Sequence, residues 1–361
     1  KKNWLTNRAI KASPAIRPIR RYFRIYFFYI MFDHIILTMP TMKDIRTAQW
    51  RYLAGLVVYG LGLLIYTHNP FYRSFILPET LTILKTLFLV YFFLGWPFHI
   101  FNAKAKDHKP SRLILSLPRL AGKLSQEEKN TLLFFLVKFF YIPIMLNFFV
   151  TNSRAVFDII SRRIAFGRFS FDLHTDYINL FPLIFTLDTL FFAFGYLVEH
   201  PKLGNTIKSV EPTLFGWVVA LATYPPFNNL TANYLGWYSN DYFFMSNPVV
   251  DIVLKVMAVG LLGVYLWATF SLGFKCSNLT NRGIVANGAY KHIRHPAYAS
   301  KILFWWLTAL PRFSPAAVLS LLGWTTLYYL RAVTEERHLS KDPDFRRYTR
   351  QTRFRFIPGL V

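Results

Sequence analysis

Long apolar stretches constrain the fold of this chain more than any other feature of its sequence. A helix that crosses a bilayer needs roughly 20 apolar residues, and 53% of the 361 residues are hydrophobic. We do not find the alternating segments of about ten residues that form a transmembrane β-barrel. The pattern therefore predicts an all-α, polytopic integral membrane protein with about eight transmembrane helices. The predicted crossings lie near residues 52–67, 80–101, 132–151, 178–198, 212–224, 249–272, 297–310 and 314–333.

The formal charge of +24 is distributed unevenly along the chain. Lysine and arginine are frequent in residues 1–51, 102–131 and 331–361, whereas residues 225–247 contain neither. Cytoplasmic loops of membrane proteins carry such an excess, and their cations contact anionic lipid headgroups. We therefore expect a lipid bilayer rather than nucleic acid as the partner of these charges, with both termini in the cytoplasm.

Two segments complicate this topology. Residues 152–177 should lie on the outer side but contain four arginines, which favours an interfacial or re-entrant segment. Residues 17–32 place basic residues before an apolar run without the small-residue cleavage site of a secretory signal. We expect an amphipathic helix on the cytoplasmic leaflet there. The sequence is compatible with the bacterial inner membrane and with the endoplasmic reticulum.

The sequence divides into two parts. Residues 1–247 are typical of a membrane scaffold with a basic N-terminal segment. Residues 248–361 form a predicted unit of one long span, a polar segment, a helical hairpin and a basic tail. The single cysteine, Cys276, excludes an internal disulfide and a cysteine-rich metal site. His292 and His295 lie three apart without a carboxylate at a matching helical position, so we expect no metal.

The stretch GAYKHIRHPAYASK, residues 288–301, is unusually polar for a chain of this kind. It enters the first helix of the hairpin, and RAVTEERHL ends the second helix, so the two ends should meet on one side of the membrane. His295 and Tyr298 should then lie near Arg331, Glu335 and Glu336. Taken singly, each of these residues could have an ordinary structural role, as a member of an ion pair, as a helix cap or as part of the interfacial aromatic belt. Together, ionisable groups at a membrane boundary favour a functional site.

This pattern resembles the isoprenylcysteine carboxyl methyltransferase and phospholipid methyltransferase superfamily over about residues 265–361. Ala289 and Ser300 depart from the residues that the superfamily often has. Pro296 distinguishes the chain from sterol reductases of similar C-terminal architecture, which tend to have Asn there. The residues that carry the resemblance are Gly288, Tyr290, Arg294, His295, Pro296, Tyr298, Glu335, Glu336, Phe345, Tyr348, Ile357 and Pro358.

The resemblance implies S-adenosylmethionine-dependent methyl transfer to a membrane lipid or lipidated substrate, in a pocket open to the cytoplasm. Glu335 matches the superfamily's acidic cofactor contact, and Arg331 matches a position associated with the acidic group of the substrate. We assign Arg331 the catalytic role on this basis. The implied cofactor-binding residues are Arg282, Gly283, Ile284, Val285, Tyr290, His295, Pro296, Tyr298 and Glu335.

The scaffold offers a predicted substrate headgroup site at Glu199, Lys208 and Glu211, and a second candidate, Asp188, within the fourth span. A carboxylate at that depth is costly unless it is paired or faces a wet cavity. Two alternatives remain open. One is an NADPH-dependent reductase of a membrane sterol or isoprenoid, with Lys275, Arg282 and the arginines of the C-terminal tail near the cofactor phosphate. The other is a lipid-binding or transport protein without chemistry.

Overall fold

A computed structural model describes residues 40–103, 108–167 and 172–359. These residues form α-helices joined by turns and longer loops, with one two-stranded antiparallel sheet, β1 (Ser209–Val210) and β2 (Thr280–Asn281). The predicted interfacial segment at 17–32 lies outside this part of the chain. In chain order the helices are α1 Met42–His68, α2 Pro70–Arg73, α3 Pro78–Phe101, α4 Lys109–Ser116, α5 Gln126–Phe166, α6 Leu173–Leu197, α7 Leu214–Leu221, α8 Phe227–Tyr234, α9 Pro248–Leu272, α10 Pro296–Ala309, α11 Pro315–Leu339 and α12 Pro343–Gln351.

The long helices begin where the sequence supplies capping residues. Thr41 and Asp44 form a capping box at α1, and Ser125 and Glu128 form another at α5. In each box the hydroxyl and the carboxylate satisfy backbone N–H groups that a helix start leaves free. Helices α9 and α11 begin with a proline at the first position, where its missing N–H costs nothing.

Six helices among the described residues are long and apolar enough to cross a membrane: α1, α3, α5, α6, α9 and α11. The polytopic all-α membrane fold is therefore confirmed. The other two predicted crossings, near 212–224 and 297–310, contain helices of 8 and 14 residues. At 1.5 Å per residue the longer of these extends about 21 Å, less than the roughly 30 Å of a hydrocarbon core. The count of eight is not confirmed.

Helix α5 corrects one prediction. Residues 152–166 do not form a loop but continue this helix, which is 41 residues long and is capped at its C-terminus by Gly167 with φ 57°. The apolar side chains of Val156, Ile159 and Ile160 keep the helical spacing and line a groove with α6 and α9. Two of the arginines are neutralised, since Arg154 pairs with Glu79 and Arg163 pairs with Asp176.

Two apolar cores among the described residues hold the spans together. The first surrounds α5 and contains Tyr141 and Tyr196, whose rings stack 5.3 Å apart at 6°. The second joins α6, α9 and α10 around Phe181 and Phe304. Many large apolar side chains on the outer faces of α1, α3 and α9 remain exposed. Exposed apolar surface of this extent is typical of a surface that faces lipid.

The segment from β1 to α7 ties the two predicted parts of the chain together. Backbone hydrogen bonds join Lys208 N–H to Asn281 O and Glu211 N–H to Leu279 O, each at 2.8 Å. Helix α7 then packs against α11. A scaffold segment therefore forms one wall of the region in which the C-terminal hairpin presents its polar residues.

Candidate functional site

Two adjoining cavities lie at the polar end of the α10–α11 hairpin. The first, which we name the polar cavity, has a volume of about 30 Å³. The second, the junction cavity, has a volume of about 70 Å³. Tyr298, Arg331 and Glu335 line both, so the hairpin brings together three of the residues predicted for the site. The polar cavity is lined chiefly by Glu211, Asn278, Tyr298, Arg331, Glu335 and His338. The junction cavity is lined chiefly by Tyr265, Tyr290, His295, Tyr298, Lys301 and Arg331.

Arg331 is the central cation of this site and is 5% exposed. Its Nη1 donates to Thr223 Oγ1 at 2.7 Å, and its Nη2 donates to Asn278 Oδ1. The rings of Tyr224 and Tyr298 lie 5.2 Å from its guanidinium carbon. Among the described residues, no carboxylate lies within ion-pair distance of Arg331. An ordinary surface ion pair between Arg331 and Glu335 therefore does not form, and the buried charge is held by neutral dipoles and aromatic faces.

Asn278 fixes the orientation of this arginine. Its backbone N–H and its Nδ2 donate to Tyr196 Oη at 2.5 and 3.1 Å, and Nδ2 also donates to Tyr224 Oη at 3.1 Å. The next residue, Leu279, has φ 61°, in the left-handed region that a leucine rarely adopts. Such a conformation costs about 1–3 kcal/mol and persists where the surroundings enforce it. The bond from Glu211 N–H to Leu279 O helps to enforce it here.

The two adjacent glutamates have different roles. Glu335 is exposed, lines both cavities and accepts a hydrogen bond from Tyr298 Oη at 3.0 Å. Glu336 is 8% exposed and points to the other side of α11. It accepts from Arg294 Nε at 2.7 Å and Arg355 Nε at 2.9 Å, and its Oε1 lies 3.1 Å from His295 Nε2. Glu336 therefore links α11 to the loop before α10 and to the C-terminal tail, and the exposed Glu335 is accessible to a ligand.

The C-terminal tail closes over the loop that leads into α10. Arg294 N–H donates to Phe354 O and His295 N–H to Arg355 O, both at 2.9 Å. Tyr348 Oη donates to Tyr290 O at 2.7 Å. The spaced aromatic residues of the tail thus anchor it, and Glu336 links the tail to the hairpin.

The predicted cofactor residues divide into two groups. Tyr290, His295, Tyr298 and Glu335 line the junction cavity. Burial, followed by the charges of neighbouring groups that include Glu335, raises the pKa of Tyr290 well above its ordinary value, so its phenol stays protonated. Residues 282–285 and Pro296 are not among the residues that line either cavity.

The side chain of Arg282 is directed into the scaffold. Its Nη1 donates to Asn205 O and its Nε to Ser277 Oγ, both at 2.9 Å. The neighbouring residues Ser277–Thr280 line the polar cavity instead of 282–285. The Ser300 hydroxyl, where the superfamily often has glycine, donates to Pro296 O at 2.8 Å within its own helix. That departure therefore does not obstruct either cavity.

Of the three residues predicted to bind the substrate headgroup, only Glu211 lines the polar cavity. Glu199 pairs with Lys109, and Lys208 Nζ lies 3.1 Å from Asp342 Oδ2. Glu211 is 2% exposed and its Oε2 has no hydrogen-bond partner in the described part of the chain. Asp188 is satisfied by Tyr265 Oη at 2.9 Å and Thr269 Oγ1 at 2.6 Å. Its carboxylate is therefore held behind the junction cavity by two hydroxyl donors.

The structure adds residues that the sequence analysis missed. Thr223, Tyr224 and Asn278 hold Arg331 although they come from distant parts of the chain. Lys301 lies one turn after Tyr298 and lines the junction cavity. The three-residue spacing between Tyr298 and Lys301 was the signal that could have placed Lys301 on the same face of α10.

The α10–α11 hairpin lies in a segment that matches a known protein family. Residues 248–342 match the phospholipid methyltransferase family model. The match covers the C-terminal part of the chain and confirms the resemblance predicted there. It contains α9, the 288–301 segment and the α10–α11 hairpin with Tyr298, Arg331 and Glu335. Searches of curated proteins and of solved structures gave no significant match to the chain.

Proposed function

We propose that this chain is an integral membrane methyltransferase that uses S-adenosylmethionine and acts on a membrane lipid or lipidated substrate. The proposal is supported chiefly by the fact that the family match and the two cavities involve the same segment of the chain. The family match covers residues 248–342, and the same segment brings Tyr298, Arg331 and Glu335 to the walls of two adjoining cavities. The charge asymmetry of the chain supports a site that faces the cytoplasm.

The donor and acceptor groups fit this cofactor. When bound, S-adenosylmethionine supplies an electrophilic methyl group on a sulfonium. Glu335 and Glu211 Oε2, which receives no hydrogen bond from the described residues, are acceptors for its ammonium or ribose hydroxyls. An unpaired buried carboxylate oxygen in a native protein calls for a partner such as these. Tyr290 lines the junction cavity, and an aromatic ring attracts a cation such as the sulfonium.

The two cavities are smaller than the roughly 300–1,000 Å³ of most ligand pockets, at about 30 and 70 Å³. Ligand entry therefore requires their walls to separate. The exposed Glu335 lies at the boundary that both cavities share.

Arg331 is the residue that we expect to hold the acidic group of the acceptor. Its guanidinium is oriented by Thr223 and Asn278 before any ligand arrives. Methyl transfer is an in-line displacement, so most of the catalysis comes from orientation of the two reactants. An anionic nucleophile requires no general base from the protein.

The first test is calorimetry on the detergent-purified chain with S-adenosylmethionine, its demethylated product and NADPH. We expect saturable binding of the first two. Glu335→Gln should weaken both about tenfold or more, because it removes one charged acceptor. Glu127→Gln is the matched control, since Glu127 is 78% exposed at the start of α5.

The other outcomes assign the chain elsewhere. Binding of NADPH alone would place it with the membrane reductases. Binding of none of the three would favour a lipid-binding or transport protein. Equal affinity of wild type and Glu335→Gln for S-adenosylmethionine would refute the cofactor role of Glu335.

A further inference from the structure

A third cavity adjoins the site, on the side of the junction cavity that lies away from Glu335. We name it the aromatic chamber. It has a volume of about 430 Å³, which is within the range of ligand-binding pockets. Its walls include Tyr224, Trp237, Lys301, Trp305, Trp324 and Tyr328. Tyr224, Lys301 and Tyr328 also line the junction cavity, so the two cavities meet at these residues.

Helical spacing makes this arrangement continuous. On α10, Tyr298, Lys301 and Trp305 are separated by three and four residues and share one face. The rings of Tyr298 and Trp305 form a continuous row with Tyr328 of α11 and with Trp237, which lies in the loop before α9. The Tyr298 and Tyr328 ring centres are 5.4 Å apart, those of Tyr328 and Trp305 are 5.1 Å apart, and those of Trp305 and Trp237 are 4.9 Å apart. An apolar surface therefore extends from the cofactor site into the chamber.

Lys301 gives this surface a charge. Its Nζ lies 4.9 Å from the ring centre of Tyr265 and 5.9 Å from that of Tyr328. Within the described residues, no carboxylate lies close enough to form an ion pair with it, and the nearby Asp188 is already bonded to Tyr265 and Thr269. Lys301 and Arg331 both face the junction cavity, so two cations without a carboxylate partner border the same space.

The chamber also has a polar atom that calls for a ligand. Asn228 lines it, and the Oδ1 of this residue is buried without a hydrogen-bond partner among the described residues. Unpaired buried polar atoms are uncommon in native proteins. Together with the two cations, this atom indicates that the chamber is completed by a bound molecule.

We propose that the aromatic chamber binds the apolar part of an anionic lipid, whose carboxylate or phosphate lies between Lys301 and Arg331. Lys301 and Arg331 outnumber Glu335, which is the one carboxylate of the described residues that lines the junction cavity, so an anionic lipid is favoured there over a neutral or cationic one. Recognition of the anion by Lys301 does not depend on the proposed function. Identification of this lipid as the methyl acceptor rests on that function.

Tryptophan fluorescence provides a test that contains no cofactor. Bromine atoms quench tryptophan on contact, and Trp237, Trp305 and Trp324 line the chamber. The detergent-purified full chain would be titrated with 9,10-dibromostearate, with its methyl ester, and with phosphatidic acid that carries the same brominated chains. We expect saturable quenching by at least one anion, at about tenfold lower concentration than by the ester. The carboxylate and phosphate arms show which anion the site takes.

Variants assign the effect to Lys301. Lys301→Gln should weaken binding of the anion about tenfold and leave the ester unchanged, whereas Lys301→Arg should retain anion binding. Lys85→Gln removes an exposed lysine from α3 and should bind like the wild type. Trp305→Phe should reduce the quenched amplitude, and Trp50→Phe, at an exposed position on α1, should not.

Equal affinity for the ester and both anions would overturn the proposal, and so would undiminished anion binding by Lys301→Gln. The two proposals fail separately. Selective quenching in a protein that binds no S-adenosylmethionine would refute only the methyltransferase assignment. Cofactor binding without selective quenching would refute only the anionic lipid site.

Discussion

Replacement of Glu336 should destabilise the protein because this carboxylate joins three segments. It lies on α11 and accepts from Arg294, which precedes α10, and from Arg355, in the tail. The side chains of Glu336 and Arg294 are 10% and 12% exposed, so solvent screens their pair weakly. Glu336→Gln keeps the size of the side chain but removes its charge. One side of the new amide is an N–H donor that faces an arginine.

The magnitude follows from the number of charged contacts. A hydrogen bond to a charged group contributes about 1.5–3 kcal/mol, and loss of one member of a buried ion pair costs about 3–5 kcal/mol. Glutamine can still accept from Arg294 with its remaining oxygen, so we expect the lower end, about 3 kcal/mol. For a chain of 361 residues such a loss should lower the melting temperature by about 4 °C.

The assay is thermal unfolding of the detergent-purified protein, followed by tryptophan fluorescence. The adjacent residue provides the control. Glu335→Gln alters an exposed side chain with one hydrogen bond from Tyr298, so its melting temperature should stay within roughly 2 °C of the wild type. Arg355→Gln combined with Glu336→Gln should lose less than the sum of the single losses, because the two residues share one ion pair.

A Glu336→Gln variant that unfolds at the wild-type temperature would refute the structural role of this carboxylate. A Glu335→Gln variant that unfolds earlier than Glu336→Gln would show that the two glutamates are assigned in the wrong order. Strict additivity in the double variant would show that Arg355 and Glu336 do not interact in solution.

Three further predictions concern the walls of the site. Arg331→Lys keeps the charge but loses the planar donors that bind Thr223 and Asn278. The rate of lipid methylation should therefore fall at least about tenfold, and the calorimetric affinity for S-adenosylmethionine should stay unchanged. Gly216→Ala places a Cβ 2.5 Å from Glu211 Cγ and should weaken cofactor binding measured by the same calorimetry. In the control, Gly260→Ala, the new Cβ meets no atom within 4 Å, and cofactor affinity should be unchanged. Burial acts to raise the pKa of Asp342, but hydrogen bonds from Asn281, Asp344 N–H and Lys208 outweigh it and lower that pKa. The stabilisation by this carboxylate is present above about pH 4 and is lost as the pH falls further, so Asp342→Asn should flatten the decline of the melting temperature between about pH 5 and pH 3.

The hairpin was predictable because its determinants are local. Proline begins both α10 and α11, and the spacing of Arg331 and Glu335 puts them on one helical face. Since a hairpin returns the chain to the same side, the meeting of Tyr298 with Glu335 followed from connectivity. The structure confirms that contact with a hydrogen bond of 3.0 Å.

The partners of Arg331 were not predictable from local patterns. Thr223 and Asn278 are 108 and 53 residues away from it, and they reach it only because the scaffold segment pairs with β2 and packs on α11. The different roles of Glu335 and Glu336 depend on the rotation of α11 about its axis. Hydrophobic pattern alone does not determine that rotation when several faces of a helix are apolar.

The length of α5 was misjudged for a related reason. Arginines near 154–163 imply a loop only when they have no partners. Here Glu79 and Asp176, on α3 and α6, pair with two of them. Those pairs allow a charged helical end to continue beyond the apolar stretch, and they depend on tertiary packing that the sequence pattern does not show.

Transfer of a labelled methyl group tests the central claim most directly. The detergent-purified chain would be incubated with methyl-tritiated S-adenosylmethionine and a total membrane lipid extract, and label would be counted in the organic phase. We expect time-dependent label in lipid with the wild type and at least about tenfold less with Arg331→Ala. If the organic phase stays unlabelled with the wild-type protein, while the same preparation binds NADPH, the methyltransferase account is contradicted.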